Sequence, residues 1–522
     1  MSFSRILTIG LAAMFILLIA RLMRLENGGP PHAFVMLPGQ EPATMYLPGP
    51  GNPFYTVFPK EPSQRPAAIV LIHGFMADRK LMSSLARRVA ENGYAVLAID
   101  VNGHGENRNP FNGGEAESSN LRENVKQAVD YLRASDLVDG SRIAVMGHSM
   151  GAGAALDYAT HDPNLKGAVM ISGGWQLGPQ HLKSALFIFA ERDPVEAIQD
   201  TSTALAAHLA GRPQIELSKM YGDFATGNAV EAVRVPGVDH LTILYSKEAA
   251  TTIVKWLDGV FGTPRTGSIA LSDPRRATTG FALLVFVVLL APLGSVAGTM
   301  VSQWDGERPG PSGWIGGLIL GGALIAAMPI AAANPAGFVP VVVGDVQLSW
   351  FAGAGLIIAG VLALWRMLDW ERIRVGAGIA ILAASAAFAV VHVCLVAMSP
   401  TFHYLALSPE RLMVMTMATI LLFPFWLGFE WLVRRGGWGI STMWAVFGRI
   451  LIVILMVVGV SLRVLPFVLM LILPIIVLNF VMFEIFSAAA YRASRNLTLI
   501  AFFETLWFAW IIAAVCPITF ML

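Results

Sequence analysis

The stretch Gly147-His-Ser149-Met-Gly151 sets a serine between two glycines, where "RIAVMGHS" ends and "MGAGAALDYAT" begins. The first segment is β-branched and apolar and reads as a strand; the second reads as the start of a helix. Ser149 therefore falls on a strand-to-helix turn. Such a turn strains the serine backbone, brings strand and helix so close that side chains at Gly147 and Gly151 would clash, and points the hydroxyl out of the sheet edge. A serine hydroxyl is a weak nucleophile at neutral pH, so it needs a base within hydrogen-bond reach and a carboxylate to orient that base. The reaction also needs donors for the oxyanion that forms. Upstream, "AAIVLIHGFMADRK" supplies a strand at 67–72 with His73-Gly74-Phe75 at its C-terminal end. The backbone N–H groups of Phe75 and Met150 are the candidate donors. Gly74 is read as part of the same turn, and His73 as holding its shape by hydrogen bonding rather than moving protons.

These residues require a sheet whose strand ends lie side by side. From about 25 to 275 the apolar runs are short, Gly and Pro punctuate them, and strand-like and helix-like segments alternate, the pattern of an α/β domain with a mostly parallel sheet. Ligand sites of such sheets form beyond the C-terminal strand ends. The segments "LIHGF", "GYAVLAIDVNGHGEN" and "GHSMGAGAAL", in that order, resemble the α/β-hydrolase family, and more narrowly its compact esterase, dienelactone-hydrolase and serine-peptidase-like branches. The resemblance covers about residues 54 to 261. It implies the chain order Ser, then Asp or Glu, then His. Asp193, in "SALFIFAERDPVEA", matches the family's acid; Glu191 is the nearest competitor and would serve only if its strand ended sooner. His240, in "AVEAVRVPGVDHLTIL", matches the family's histidine loop after a final core strand at 230–235. His104, His161, His181 and His208 fit helices or polar loops better, and Asp239 is expected to be exposed. Only "WQLGPQHLKS" separates Gly174 from the strand before Asp193, too little for a helical lid. Either the pocket is open, or its roof comes from 103–120, from 28–60 or from the membrane spans.

The resemblance implies a serine hydrolase that cleaves an ester or thioester through an acyl-enzyme, without cofactor or metal. A peptidase of the same fold is the alternative within enzymes. A transporter or scaffold whose hydrolase-like domain binds without turnover is the alternative outside them.

The rest of the chain is of another kind. The 522 residues are 55% hydrophobic and 14% charged, against about 45–50% and about 25% in ordinary globular proteins. A net charge of +1 argues against a nucleic-acid binder. The two cysteines, Cys394 and Cys516, lie in apolar runs and offer neither a disulfide framework nor a metal site. Residues 1–24 read as an N-terminal membrane anchor or signal-like segment, 25–53 as linker and first strands, 54–265 as the hydrolase domain and 266–278 as a linker. Residues 279–522 read as an all-α polytopic membrane domain of about eight transmembrane helices. The expected spans are 279–300, 313–333, 347–367, 375–397, 412–433, 444–462, 464–487 and 497–520. The cut at Arg463 leaves two spans or a re-entrant pair open.

Arg308, Arg366, Arg372, Arg374, Arg434, Arg435, Arg492 and Arg495 fall on one side of these spans, and Arg411 and Arg463 on the other. By the positive-inside rule the first side is cytoplasmic and the hydrolase domain lies outside the cytoplasm; Arg21, Arg24, Arg275 and Arg276 oppose that placement. The expected setting is a bacterial inner membrane, the expected partners the lipid bilayer and a small-molecule or lipid ester. Of the charges within the spans, Glu430 is expected to pair with Arg434 or meet water, and Arg449 to snorkel. Glu484 and Glu504 are expected to hydrogen-bond each other or to line a cavity with Asn479. His392 has no spaced partner suggesting a metal.

Overall fold

A computed structural model describes residues 3–54, 62, 64–174, 182–194, 197–304, 310–311 and 313–519. Arg308, His181 and most of the 175–184 segment lie outside the described residues.

The N-terminal apolar run forms α1 (Phe3–Gly28), which runs past the expected boundary at residue 24. Its last turn is held because Glu26 pairs with Arg275 at 2.6 Å, and α1 packs along the helix that Arg275 opens. Eight strands follow: β1 (His32–Met36), β2 (Pro42–Tyr46), β3 (Ala68–Ile72), β4 (Ala95–Ile99), β5 (Ile143–His148), β6 (Gly167–Ile171), β7 (Ser184–Ala190) and β8 (Val230–Val235). They form one sheet in the order β1-β2-β4-β3-β5-β6-β7-β8. β1, β2 and β4 pair antiparallel, and every other pairing is parallel. This is an α/β-hydrolase fold.

The interleaved helices are α2 (Ser83–Glu91), α3 (Gly114–Ala134), α4 (Met150–His161), α5 (Ala197–Leu209) and α6 (Lys247–Phe261). They cover both faces of the sheet, so β3, with sequence AIVLI, is buried at every residue rather than alternating. Val70, Val145 and Phe187 pack to one face, and Leu71, Met146 and Leu186 to the other. Register decides the rest. Ile72 lies opposite Gly147, His148 opposite Ile171 and Ala190 opposite Val235. The parallel strands thus end on one edge, and the loops that follow them meet there.

The second half is helical: α7 (Pro274–Thr299), α8 (Gly313–Ala326), α9 (Met328–Ala333), α10 (Gly344–Leu364), α11 (Trp370–Arg374), α12 (Ala377–Met398), α13 (Pro409–Val433), α14 (Trp438–Ser461), α15 (Val468–Leu471), α16 (Leu473–Ser494) and α17 (Leu497–Val515). Among the described residues nine helices are long and apolar enough to cross a membrane, α1 and eight from Pro274 onward, with α8 and α9 counted as one. The expected 464–487 span is displaced to Leu473–Ser494. Arg463 takes a left-handed φ of 59° and breaks the run, and Pro474 sits in the first turn of the next helix, where its missing N–H costs nothing. At 24 and 22 residues, α14 and α16 are each about 33–36 Å long and can cross about 30 Å of hydrocarbon, which favours two spans over a re-entrant pair.

The buried charges correct two expectations. Arg449 does not snorkel: it is 4% exposed and pairs with Glu484 at 2.6 Å, Glu430 at 3.4 Å and Glu504. Glu484 and Glu504 are joined through it, not to each other, and Asn479 lies apart, accepting from Trp507 at 3.1 Å. Glu430 pairs with Arg434 as expected, at 2.8 Å, and Arg434 also holds Glu484 at 2.7 Å. Three carboxylates and two guanidiniums on four helices share one buried network, because within an apolar span an arginine is better matched by carboxylates than by lipid.

The two halves meet at the sheet edge where the strands end. The Phe111 N–H donates to the Ile518 carbonyl at 2.8 Å and the Ile518 N–H to the Gly103 carbonyl at 3.0 Å. The buried Arg411 guanidinium donates to the carbonyls of Gly103 and Gly105, each at 3.2 Å, and to Ala513 and Ala514 at 2.6 and 2.9 Å.

Candidate active site

Ser149 stands between β5 and α4 with φ 54° and ψ −118°, a strained conformation for a side chain other than glycine. The packing explains the flanking glycines. A Cβ on Gly147 would lie 1.9 Å from the Gly151 carbonyl oxygen, and one on Gly151 2.4 Å from that of His73. A Cβ on Gly74 would fall 3.1 Å from the Ser149 Cβ, so the 73–75 turn lies directly against the serine. Gly173, not singled out from the sequence, is under the same constraint: a Cβ there would meet the Ser149 carbonyl oxygen at 2.4 Å.

Three side chains far apart in sequence come together here. The Ser149 hydroxyl lies 3.0 Å from His240 Nε2, and His240 Nδ1 lies 2.9 and 3.1 Å from the two Asp193 oxygens. With Nδ1–H donating to Asp193, Nε2 is free to accept from the serine. Both side chains of the His240–Asp193 pair are about nine-tenths or more buried, at 5% and 6% exposure. Glu191 does not reach the histidine. It is exposed and accepts from the Gly237 N–H at 2.9 Å, shaping the turn before His240. Asp239 is exposed, as expected, and accepts from the N–H groups of Leu241 and Thr242 at 3.0 and 2.8 Å.

Met150 is the first residue of α4, so its N–H belongs to the opening turn, whose donors have no intrahelical acceptor. Phe75 follows Gly74 on the turn that abuts Ser149. His73 is fully buried, with Nδ1 2.7 Å from the Gly74 carbonyl and Nε2 accepting from the Val101 N–H at 3.1 Å. Burial holds it below its ordinary pKa, against the nearby Asp100 charge. It is a neutral brace joining the β3 and β4 loops. The β4 loop packs against Phe75 through Phe111 and His104, at centroid distances of 5.5 and 5.7 Å. Burial also keeps His104 well below its ordinary pKa, and it has no contact with the triad.

His148 was missed in the sequence, where it is only the variable position beside the serine. Its Nε2 donates to the His240 backbone carbonyl at 2.8 Å, so the nucleophile's neighbour fixes the histidine loop. Burial, then the charge of His240, pushes its pKa down to about 3, which makes it a neutral donor.

A cleft of about 290 Å³ opens at Ser149, walled by Leu121, Met150 and Ala154, with Ser118 and Asp157 as polar groups. Among the described residues no group of His, Cys, Asp and Glu is arranged to hold a metal ion. The arrangement can deprotonate the Ser149 hydroxyl beside the opening turn of α4, which suits the chemistry of acyl transfer.

Part of the chain is similar to known proteins. Residues 63–212 match the family described as Serine aminopeptidase, S33. Cutinase est2 of Thermobifida alba is 30% identical over 145 residues, 25% of this chain and 43% of that protein. Cutinase est1 of the same organism is 27% identical over 233 residues, 41% of this chain and 71% of that protein. Bis(hydroxyethyl) terephthalate hydrolase of Streptomyces coelicolor is 30% identical over 138 residues, 25% of this chain and 41% of that protein. The chain thus spans less than half the length of two of these three relatives. Among solved structures, a dienelactone hydrolase from Anabaena variabilis aligns with 44% of this chain and 97% of its own, at 19% identity and a TM-score of 0.31. An esterase from Pyrobaculum calidifontis aligns with 49% and 93%, at 17% identity and a TM-score of 0.34.

Proposed function

We propose that this chain is a multi-pass membrane serine hydrolase that cleaves an ester or thioester at the bilayer interface through an acyl-enzyme. Ser149 attacks the carbonyl, His240 takes its proton and returns it to the leaving group, and Asp193 holds the imidazole in the productive tautomer. The Phe75 and Met150 N–H groups stabilise the oxyanion, each donor being worth about 2.7–4 kcal/mol in such sites. Water then attacks the acyl group with His240 again as base.

The observation that carries this reading is the unbroken Ser149–His240–Asp193 line of hydrogen bonds. A domain kept only for binding has no physical need for all three at reacting distance, which argues against the scaffold reading. Substrate class is argued from two sides. The curated relatives are named as cutinases and a terephthalate ester hydrolase, which favours an ester. The catalytic edge also faces the membrane half, which favours substrates drawn from the interface. The peptidase reading is kept alive by the name of the matching family alone.

For orientation, Arg366, Arg374, Arg435 and Arg492 lie at helix ends away from the hydrolase domain. Arg275 and Arg411, which face it, are buried in bonds to the protein and do not act as free loop charges, which leaves Arg21, Arg24, Arg276 and Arg463 opposing the placement. The positive-inside rule then supports an extracytoplasmic hydrolase domain. The reading is tested by labelling membranes with a fluorophosphonate probe. The intact protein should be labelled and Ser149→Ala should not; labelling that survives the substitution removes Ser149 as nucleophile, and no labelling of either removes the hydrolase.

A further inference from the structure

The turn that carries Phe75 is gripped from the membrane half. Met76 takes a left-handed φ of 57° and buries its side chain among membrane-half residues that include Trp350, Phe351 and Phe508. Asp78 is fully buried and braces the turn, accepting from the N–H groups of Lys80 and Leu81 at 2.9 and 3.1 Å. Facing it is His403, in the loop between α12 and α13. Its Nδ1 lies 3.0 Å from Asp78 Oδ2 and 3.1 Å from the Tyr404 carbonyl, and its Nε2 lies 3.3 Å from the Met76 carbonyl. The Tyr404 N–H donates to the same Asp78 oxygen. Both ring nitrogens of His403 therefore point only at acceptors. A neutral imidazole has one N–H and would leave one of these contacts without a proton; an imidazolium fills both.

We propose that His403, as an imidazolium, is a positioning residue of the hydrolytic site: it clamps Asp78 and the Met76 carbonyl so that the Phe75 N–H stays aimed at the oxyanion. The membrane half thereby completes the catalytic centre. This rests on the hydrolase reading above.

The electrostatics agree. Burial alone would favour neutral His403, but the charge and hydrogen bond of Asp78 outweigh it and raise its pKa above the ordinary value. Asp78 is held well below the usual carboxylate range, against the cost of burial, by His403 and by backbone N–H groups. The other titratable groups facing this pair are His73, His104, Arg79 and Tyr245 on the hydrolase half and Arg411 on α13, with Lys80 over the Tyr404 ring at 4.7 Å. His73 and His104 are kept neutral by burial and so do not compete for the proton. Because the folded-state pKa of His403 is raised, the clamp is complete below that pKa and is lost as pH rises through it.

The test uses the full-length protein in detergent, a p-nitrophenyl ester, and kcat and KM measured across pH for wild type, His403→Gln and Asp78→Asn. Removing an oxyanion donor outright costs about 10²–10³ in kcat, so displacing one should cost about 10-fold or more. Wild-type kcat should fall on the alkaline side. His403→Gln should show the low value throughout, with KM nearly unchanged and no alkaline fall. Amide hydrogen exchange supplies a readout independent of turnover: residues 75–81 should exchange faster in His403→Gln, and in wild type as pH rises beyond the intrinsic base dependence shown by 145–152. Unchanged kcat, a loss confined to KM, or no selective exchange response overturns the proposal. An intact exchange response without Ser149-dependent turnover overturns the hydrolase reading, and with it the catalytic role of His403.

Discussion

Asp193 presents two oxygens to one ring nitrogen, at 2.9 and 3.1 Å, so in the proposed mechanism its task is to fix the tautomer and stabilise the imidazolium rather than to accept a proton. Asp193→Asn should preserve the fold and lower kcat by about 10⁴-fold. Glu191→Gln, which disturbs only a bond to the Gly237 N–H, should leave kcat nearly unchanged. Equal losses in the two variants, measured on one ester, would contradict the assignment of the acid. The three side chains that meet here could be picked from the sequence because each follows a buried strand, and strand ends can be read from β-branched runs. Its supports were not. The donation from His148 to the His240 carbonyl joins loops 92 positions apart, and the pairing of His403 with Asp78 joins a membrane loop to a hydrolase turn. A histidine in a loop carries no local mark of either.

At the scale of elements, two devices set the geometry. In the sheet, the parallel register brings the ends of β3 and β5 side by side, and the glycines at 147 and 151 let α4 descend onto them. In the membrane half, α13, α14, α16 and α17 are tied by Arg434 and Arg449 to Glu430, Glu484 and Glu504. Removing one partner from such a network strands the others: Arg449→Met should destabilise by about 3–5 kcal/mol, read as a marked fall in the thermal midpoint of the detergent-solubilised protein. Adding Glu504→Gln should recover part of the loss. An unchanged midpoint in Arg449→Met would show that the network contributes little. The spans were legible because about 20 apolar residues in a row have few other readings. The network was not, because a lone arginine in a span is equally suited to reach the headgroups, and the carboxylates that hold Arg449 come from three other helices. The displaced α16 has a similar cause: the turn at Arg463 depends on one left-handed backbone conformation that composition does not signal.

At the scale of the whole molecule, the catalytic edge and the membrane half are one structure. His403 bonds to the turn that abuts Ser149, and Arg411 and Ile518 bond to the β4 loop packed on that turn. The proposed extracytoplasmic placement predicts that a cysteine introduced by Ser141→Cys, on the exposed hydrolase surface, reacts with an impermeant maleimide in intact cells. One introduced by Ser302→Cys, beyond the far end of α7, should react only after permeabilisation; the reverse pattern would invert the molecule. The most direct measurement of the central claim is mass spectrometry of the full-length protein during turnover of a p-nitrophenyl ester. The account predicts a burst of p-nitrophenol and an added acyl mass on the peptide containing Ser149, both absent in Ser149→Ala. Ester turnover with no acyl mass on that peptide, or with undiminished turnover in Ser149→Ala, would contradict it.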